Sequence, residues 1–240
     1  MKTKIQNNIP YEFTNQTKDN EFILTISGAI GKSGWFYDST SAEDVRNALD
    51  NVEADTIRIK LNSGGGDAFE GIEIYNYLKD HKARVIVEVT ALSGSAASII
   101  TMGADHVIMR TGANMMIHEA STFAIGNKSD IQKTLNALES IDESIVDIYV
   151  QKTGLEAEEI REMLKNETWL TSHEALEKGF ADEIESEAAP KEPEKATIDD
   201  EIINTIVQRI TNELKTKQNE KEESTQVADQ VTNKRNRFLF

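Results

Sequence analysis

Two short stretches contain the side chains from which nucleophilic chemistry could be built. The segment GSAAS, residues 94–98, ends on Ser98 among small residues, and NMMIH, residues 114–118, ends a predicted strand on His118. A serine hydroxyl becomes a nucleophile when a nearby imidazole accepts its proton. The two stretches therefore indicate a serine nucleophile with a histidine base. The alternative is a helix packed through small residues, whose hydroxyls are incidental.

A glycine run and an isolated acid are the other candidates for chemistry. LNSGGGD, residues 61–67, lies between a predicted strand and a predicted helix. It lets backbone N–H groups approach a ligand closely, as oxyanion holes and phosphate loops both require. It matches neither a Walker loop nor a dinucleotide-binding GxGxxG, and a flexible turn is the other interpretation. Further on, Thr171 and Glu174 are predicted to cap a short helix. Glu167, just upstream, is then either a solvated acid or a carboxylate that orients a histidine.

Composition limits the remaining classes of site and partner. The chain has 240 residues, 4 histidines, no cysteine and a formal net charge of −16. No histidine has metal-ligand spacing, so we expect no metal and no cofactor. The acidic balance argues against nucleic-acid partners and against anionic membrane surfaces. No apolar run approaches the roughly 20 residues that span a bilayer, and no secretory signal is visible. We therefore expect a soluble, cytoplasmic protein.

Strands and helices alternate along most of the chain, which predicts an α/β fold with a largely parallel sheet. A long helix is expected from Ser129, with Ser129 and Gln132 as its capping box. The other predicted elements are strands at 21–30, 56–61, 84–90, 106–110 and 114–118, and helices at 41–52 and 68–81.

The composition changes after about residue 186. Residues 187–197, EAAPKEPEKAT, are typical of a linker, and isoleucines spaced by four from Ile198 predict an amphipathic helix. Residues 216–233 are polar, and the chain ends on the basic and aromatic KRNRFLF. We therefore expect a catalytic domain at 1–186, followed by a linker, an amphipathic helix and a flexible tail at 187–240.

Taken together and in order, these blocks resemble the ClpP-type serine peptidases, over about residues 9–184. The similar blocks are TIRIKLNSGGGDAFEGIEIYNYL, GSAAS, MMIHEA, GNKSDIQ and ETWLTSHEALEKGFADEI. The resemblance implies a ClpP/crotonase-like fold with repeated β-β-α units and a protruding handle helix. It assigns the catalytic triad to Ser98, His118 and Glu167, with Glu167 in place of the family's usual aspartate. The oxyanion donors would be the N–H groups of Gly66 and Ile99.

The resemblance also implies a function: a serine endopeptidase acting on proteins and peptides inside a homo-oligomeric, heptameric ring or stacked rings. Arg58 and Lys60 stand where the family usually has tyrosines that dock an ATPase, so an ATPase partner is uncertain. The acidic domain and its tail are most similar to phage head-maturation proteases, which process scaffold or capsid proteins. A housekeeping Clp-type subunit working with an ATPase and a catalytically weak assembly protein are the alternatives. Crotonase chemistry on the same fold is a further one, in which Ser98, His118 and Glu167 have no explanation.

Ser93 and Ser95 are left without a catalytic role. Both are interpreted as hydroxyls at a helix start or in packing, because the resemblance places the nucleophile at the last residue of GSAAS.

Overall fold

A computed structural model describes residues 12–18, 20–33 and 38–185. The elements before the site are β1 (Glu12–Lys18), β2 (Glu21–Ile30), β3 (Ser39–Thr40), α1 (Ala42–Leu49), β4 (Thr56–Gly66), α2 (Ala68–Lys79) and β5 (Arg84–Gly94). Those that follow are α3 (Ala96–Met102), β6 (His106–Arg110), β7 (Asn114–Ile117), α4 (Lys128–Thr153), α5 (Ala157–Lys165), β8 (Thr168–Thr171), α6 (Ser172–Glu177) and β9 (Glu183–Glu185). The predicted linker, amphipathic helix and tail lie outside the described residues, and the boundary at residue 186 stays a prediction.

One sheet runs through the described chain in the order β1-β2-β4-β5-β6-β9, with β3, β7 and β8 joined at its margins. Its pairs are parallel except for β1 with β2 and β7 with β8. Buried and half-buried positions alternate along β2, while β5 has five consecutive buried residues at Val85–Val89. The second pattern is typical of a central parallel strand that is covered on both faces. The predicted α/β fold with a parallel-rich sheet is confirmed.

The glycine run is part of a strand, not the flexible turn that was one of the two interpretations of the sequence. Strand β4 continues through it to Gly66, and its last residues pair with the end of β2. A side chain at Gly65 would lie 2.6 Å from the carbonyl oxygen of Gly94, and Gly65 has φ +94°. Glycine is therefore required because the strand end lies directly against the end of β5.

Helix α4 is the long predicted helix, but its cap differs from the prediction. Asn127 caps it and Asp130 completes the capping box, two residues before the predicted pair. The helix ends at Gly154, which adopts a left-handed conformation with φ 72°. Buried residues are confined to its second half, at Ile145, Val146, Ile148 and Tyr149, so the first half projects outward as the predicted handle would.

A row of alternating charges crosses the sheet from β2 to β9. Arg58 pairs with Glu21 at 3.0 Å and with Glu88 at 3.6 Å. Arg110 pairs with Glu88 at 2.5 Å and with Glu185 at 3.3 Å. Glu88 is only 3% exposed, and its two arginine partners compensate for the cost of burying its charge. We call these five residues the charge row.

Candidate active site

The turn between β5 and α3 places Ser95 in a strained conformation at the surface of a cavity. Ser95 has φ 53° and ψ −124°, a region that a residue with a side chain rarely adopts. Its N–H donates to the carbonyl oxygen of Met116 at 2.8 Å, so β7 holds the turn in place. Its side chain is half-buried. A strained residue held by its neighbours at a strand-to-helix turn is a common setting for a nucleophile.

His118 lies beside Ser95. The ring follows directly after β7, and its Nε2 lies 2.8 Å from the Ser95 hydroxyl oxygen. The parallel pairing of β5 with β7 produces this approach, because Gly94 is in register with Met116. At this distance the imidazole can accept the serine proton.

Ser98, the predicted nucleophile, does not occupy that position. It lies one turn inside α3, is 0% exposed and donates its hydroxyl proton to the carbonyl oxygen of Ser95 at 2.6 Å. The hydroxyl of Tyr149 contacts the same Ser98 oxygen at 2.8 Å. Burial raises the pKa of Tyr149 far above its ordinary value. The structure thus corrects the predicted pairing: His118 meets Ser95, and Ser98 links α3 to α4 inside the core.

The backbone N–H groups that are free to bind an oxyanion also differ from the predicted pair. The N–H of Ile99 donates to the Ser95 carbonyl oxygen at 3.4 Å as part of the helix, so it is not free for an oxyanion. The N–H of Ala96, the residue directly after Ser95, has no partner among the described residues. Gly66 lines the same cavity as Ser95 and His118.

The backbone of Glu167 lies near that of His118, because β7 and β8 are neighbouring strands, but the two side chains form no hydrogen bond. Antiparallel pairing sets Ile117 opposite Thr168, which places Glu167 at the end of β8 nearest the histidine. Glu167 has φ 49° and an exposed side chain. Within the described chain that side chain makes no hydrogen bond or ion pair. The structure therefore brings the two residues close without joining them.

A second carboxylate, which the sequence did not single out, approaches the same segment from α4. Asp142 accepts the N–H of Ala120 through Oδ1 at 2.7 Å. Burial raises the pKa of the Asp142 carboxyl, while the Ala120 hydrogen bond and the charge of His118 act in the opposite direction. A signal was present in the sequence: Asp142 follows Ile141 on the part of the long helix where apolar residues recur.

The Ser95–His118 pair opens into a cavity of about 540 Å³. Gly66, Asp67 and Phe69 form one wall, and the inner face of α4 forms the other. Its lining also includes the apolar residues Ile99, Leu138, Ile141 and Ile145. The cavity can therefore hold an apolar side chain next to the serine oxygen.

No helix in the described ranges is long and apolar enough to cross a membrane. The same residues contain no group of three or more potential metal-ligating side chains arranged to hold an ion.

The serine that contacts His118 lies three residues before the predicted one, and GSAAS contains both serines. The distinguishing signal is position relative to the strand. Ser95 follows Gly94, the last residue of β5, whereas Ser98 falls in the body of the following helix. A side chain at a strand-to-helix turn is accessible to substrate, while one that faces inward within the helix is buried.

The family described as Clp protease matches residues 37–188. Among curated proteins, the chain is 25% identical over 130 residues to an "ATP-dependent Clp protease proteolytic subunit" of Deinococcus radiodurans, a match covering 53% of this chain and 64% of that protein. It is 28% identical over 155 residues to "ATP-dependent Clp protease proteolytic subunit 1" of Protochlamydia amoebophila, covering 61% of this chain and 75% of that protein. The chain thus spans less than two thirds of the first of these relatives.

A solved structure with a similar fold is that of a single-residue mutant of ClpP1 from Listeria monocytogenes. The TM-score is 0.60 at 25% sequence identity, and the match covers 68% of this chain and 91% of that one.

Proposed function

Because the chain belongs to the Clp protease family, we propose that it is a serine peptidase with Ser95 as nucleophile and His118 as general base. The single observation that carries this assignment is the 2.8 Å contact between the Ser95 hydroxyl and His118 Nε2. The accessible, strained position of Ser95 supports it, as does the buried position of Ser98.

The reaction proceeds by acyl transfer. His118 takes the hydroxyl proton as Ser95 Oγ bonds to the peptide carbonyl carbon, and the carbonyl π electrons move onto oxygen. Reformation of the carbonyl breaks the C–N bond, and His118 returns its proton to the departing amine. Water then repeats the sequence and releases the acid. In this proposal the N–H groups of Ala96 and Gly66, which line the cavity, donate to the oxyanion, a contribution typically worth about 3 kcal/mol per donor.

Substrate selection follows from the cavity beside Ser95. Its apolar lining favours peptides with a medium-sized apolar side chain on the acyl side of the cleaved bond. Lys133 and Thr134 are the polar groups of α4 in the same lining.

Labelling by a fluorophosphonate probe tests the nucleophile. The probe should modify the native protein at Ser95, located by mass spectrometry of the labelled peptide. Ser95→Ala should lose labelling and peptide cleavage, while Ser98→Ala should retain both, since its hydroxyl faces the core. The opposite pattern would restore the sequence-based assignment. Failure of the native protein to react would favour the non-catalytic assembly protein.

We also propose that the peptidase acts as a homo-oligomeric ring in phage head maturation, on scaffold or capsid proteins. The support is the resemblance of the acidic domain and its tail, together with the charge row. Arg58, in place of a docking tyrosine, is engaged by Glu21 and Glu88, so apolar ATPase loops would meet a polar face. Portal and capsid genes on either side of its gene would support this role, and size measurement by light scattering would test the ring. The cytoplasmic location stays a prediction.

The named relatives favour one alternative, an ATP-dependent proteolytic subunit. Adding a Clp-type ATPase and ATP distinguishes the two: the maturation protease should cleave peptides at the same rate with or without them. ATP-dependent degradation of a folded substrate would support the alternative.

A further inference from the structure

We infer that Asp142, on the handle helix, is the carboxylate that stabilises the protonated His118 ring and positions its segment during catalysis. This inference rests on the proposed function, since it concerns the same serine and histidine. It gives Asp142 the role that the resemblance assigned to Glu167.

The placement of Asp142 is the first support. Its neighbours on the inner face of α4, Ile141 and Ile145, line the cavity that also contains His118. Its Oδ1 holds the Ala120 N–H at 2.7 Å, two residues beyond the histidine. The carboxylate is therefore fixed against the segment that carries the ring, and the charge of His118 acts to lower the pKa of Asp142, against the larger effect of burial.

The surrounding charges leave Asp142 without another cation. Arg161 of α5 is held by Glu143 through contacts of 2.9 and 2.7 Å, and Lys165 lies 3.7 Å from Glu162. Asp142 itself forms no ion pair with a lysine or arginine among the described residues. The other charged groups around it are Glu119 after β7, Glu139 and Glu143 on α4, and Glu158 and Glu162 on α5. The imidazolium that forms at His118, which lines the cavity beside Ser95, is then the positive charge that Asp142 can stabilise.

The chemistry of the pair requires such a charge. His118 presents Nε2 to Ser95, and its ring becomes positive when it takes the serine proton. A nearby carboxylate lowers the energy of that charged state without itself being protonated, and loss of the corresponding acid in a serine protease lowers kcat by about 10⁴-fold. Glu167, with an exposed side chain that forms no hydrogen bond or ion pair with the described residues, is poorly placed to do so.

Three matched substitutions test the inference. Asp142→Asn retains the oxygen that accepts the Ala120 N–H and removes only the charge. Glu167→Gln removes the competing carboxylate, and Glu139→Gln removes an exposed one from the same helix without releasing Arg161. We expect Asp142→Asn to lower kcat for a fluorogenic peptide at least about 100-fold, and the other two to change it less than about threefold.

Two readouts separate an electrostatic role from a structural one. Because the imidazolium loses its partner, the acidic limb of the pH–rate profile should move to lower pH in Asp142→Asn. The titration midpoint of the His118 ring, followed by NMR with ¹³C-labelled histidine, should fall in the same variant. A rate loss with both unchanged, or an equal or larger loss in Glu167→Gln, would overturn the inference.

The NMR arm needs no catalysis, so it distinguishes the two proposals. If the native protein lacks Ser95-dependent cleavage, the proposed function fails while the coupling between Asp142 and His118 is still measured. If Ser95→Ala abolishes cleavage and Asp142→Asn matches the native protein in rate and titration, only the inference fails.

Discussion

The buried hydroxyl pair formed by Ser98 and Tyr149 allows a quantitative test of the corrected assignment. Ser98 gives its proton to the Ser95 carbonyl oxygen at 2.6 Å, so the Tyr149 hydroxyl, 2.8 Å from Ser98 Oγ, must be the donor in that second bond. Ser98 is 0% exposed and Tyr149 1% exposed, so water cannot replace a lost partner.

The two single substitutions should differ in cost. Ser98→Ala removes both hydrogen bonds and leaves the Tyr149 hydroxyl buried without a partner, which costs about 1–3 kcal/mol of unfolding free energy. Tyr149→Phe leaves Ser98 bonded to Ser95 and should cost about 1 kcal/mol. In the double variant no hydroxyl is left unsatisfied, so the total should fall below the sum by about 1 kcal/mol or more.

Urea unfolding at one protein concentration, combined with fluorophosphonate labelling, measures both consequences. For a domain of this size, each kcal/mol corresponds to a Tm change of about 2–4 °C, which a parallel thermal scan would detect. All three variants should still label at Ser95. Strictly additive costs would refute the hydrogen-bonded pair. Loss of labelling in Ser98→Ala with unchanged stability would refute the structural role of Ser98.

Three further tests concern the residues that support the site. Gly65→Ala would place a methyl group 2.6 Å from atoms of the β5–α3 turn, so it should lower the free energy of unfolding by more than about 2 kcal/mol and abolish labelling. Gly112 also has a positive φ but open space around it, so Gly112→Ala should cost about 1 kcal/mol and leave labelling intact. Equal effects of the two substitutions would contradict the close packing at Gly65. Glu88→Gln leaves two arginines without their buried partner and should cost about 3–5 kcal/mol in urea unfolding. Glu185→Gln, at the partly exposed end of the charge row, should cost less than about 1 kcal/mol. A similar cost for both would contradict the charge row. Burial raises the pKa of Asp142 in the folded state, so its ionisation destabilises the fold as the pH rises above the pKa of the unfolded chain. Asp142→Asn should therefore match or exceed the native stability at pH 7 and lose that advantage below about pH 4. A variant that is less stable than the native protein at pH 7 would contradict the raised pKa.

The sequence by itself predicted the order of the central strands and of the main helices, and it showed the chemistry available, whereas β1, β3, α5, β8 and β9 were not predicted. Strand β2 begins and ends as predicted at residues 21 and 30, and α6 carries the predicted cap of Thr171 and Glu174. Periodicity and capping are local properties, set by neighbours a few residues apart, and so they can be read from the chain. The family resemblance likewise identified His118 as the histidine that meets the small-residue turn.

Only the tertiary structure decided which serine meets that histidine and which carboxylate holds the segment that follows it. Ser95 and Ser98 are equivalent in composition, and three residues of spacing turn one toward the cavity and the other into the core. The pairing of β5 with β7 and the packing of α4 join residues far apart in the chain. Because those contacts depend on the register of whole elements, no local pattern fixes them.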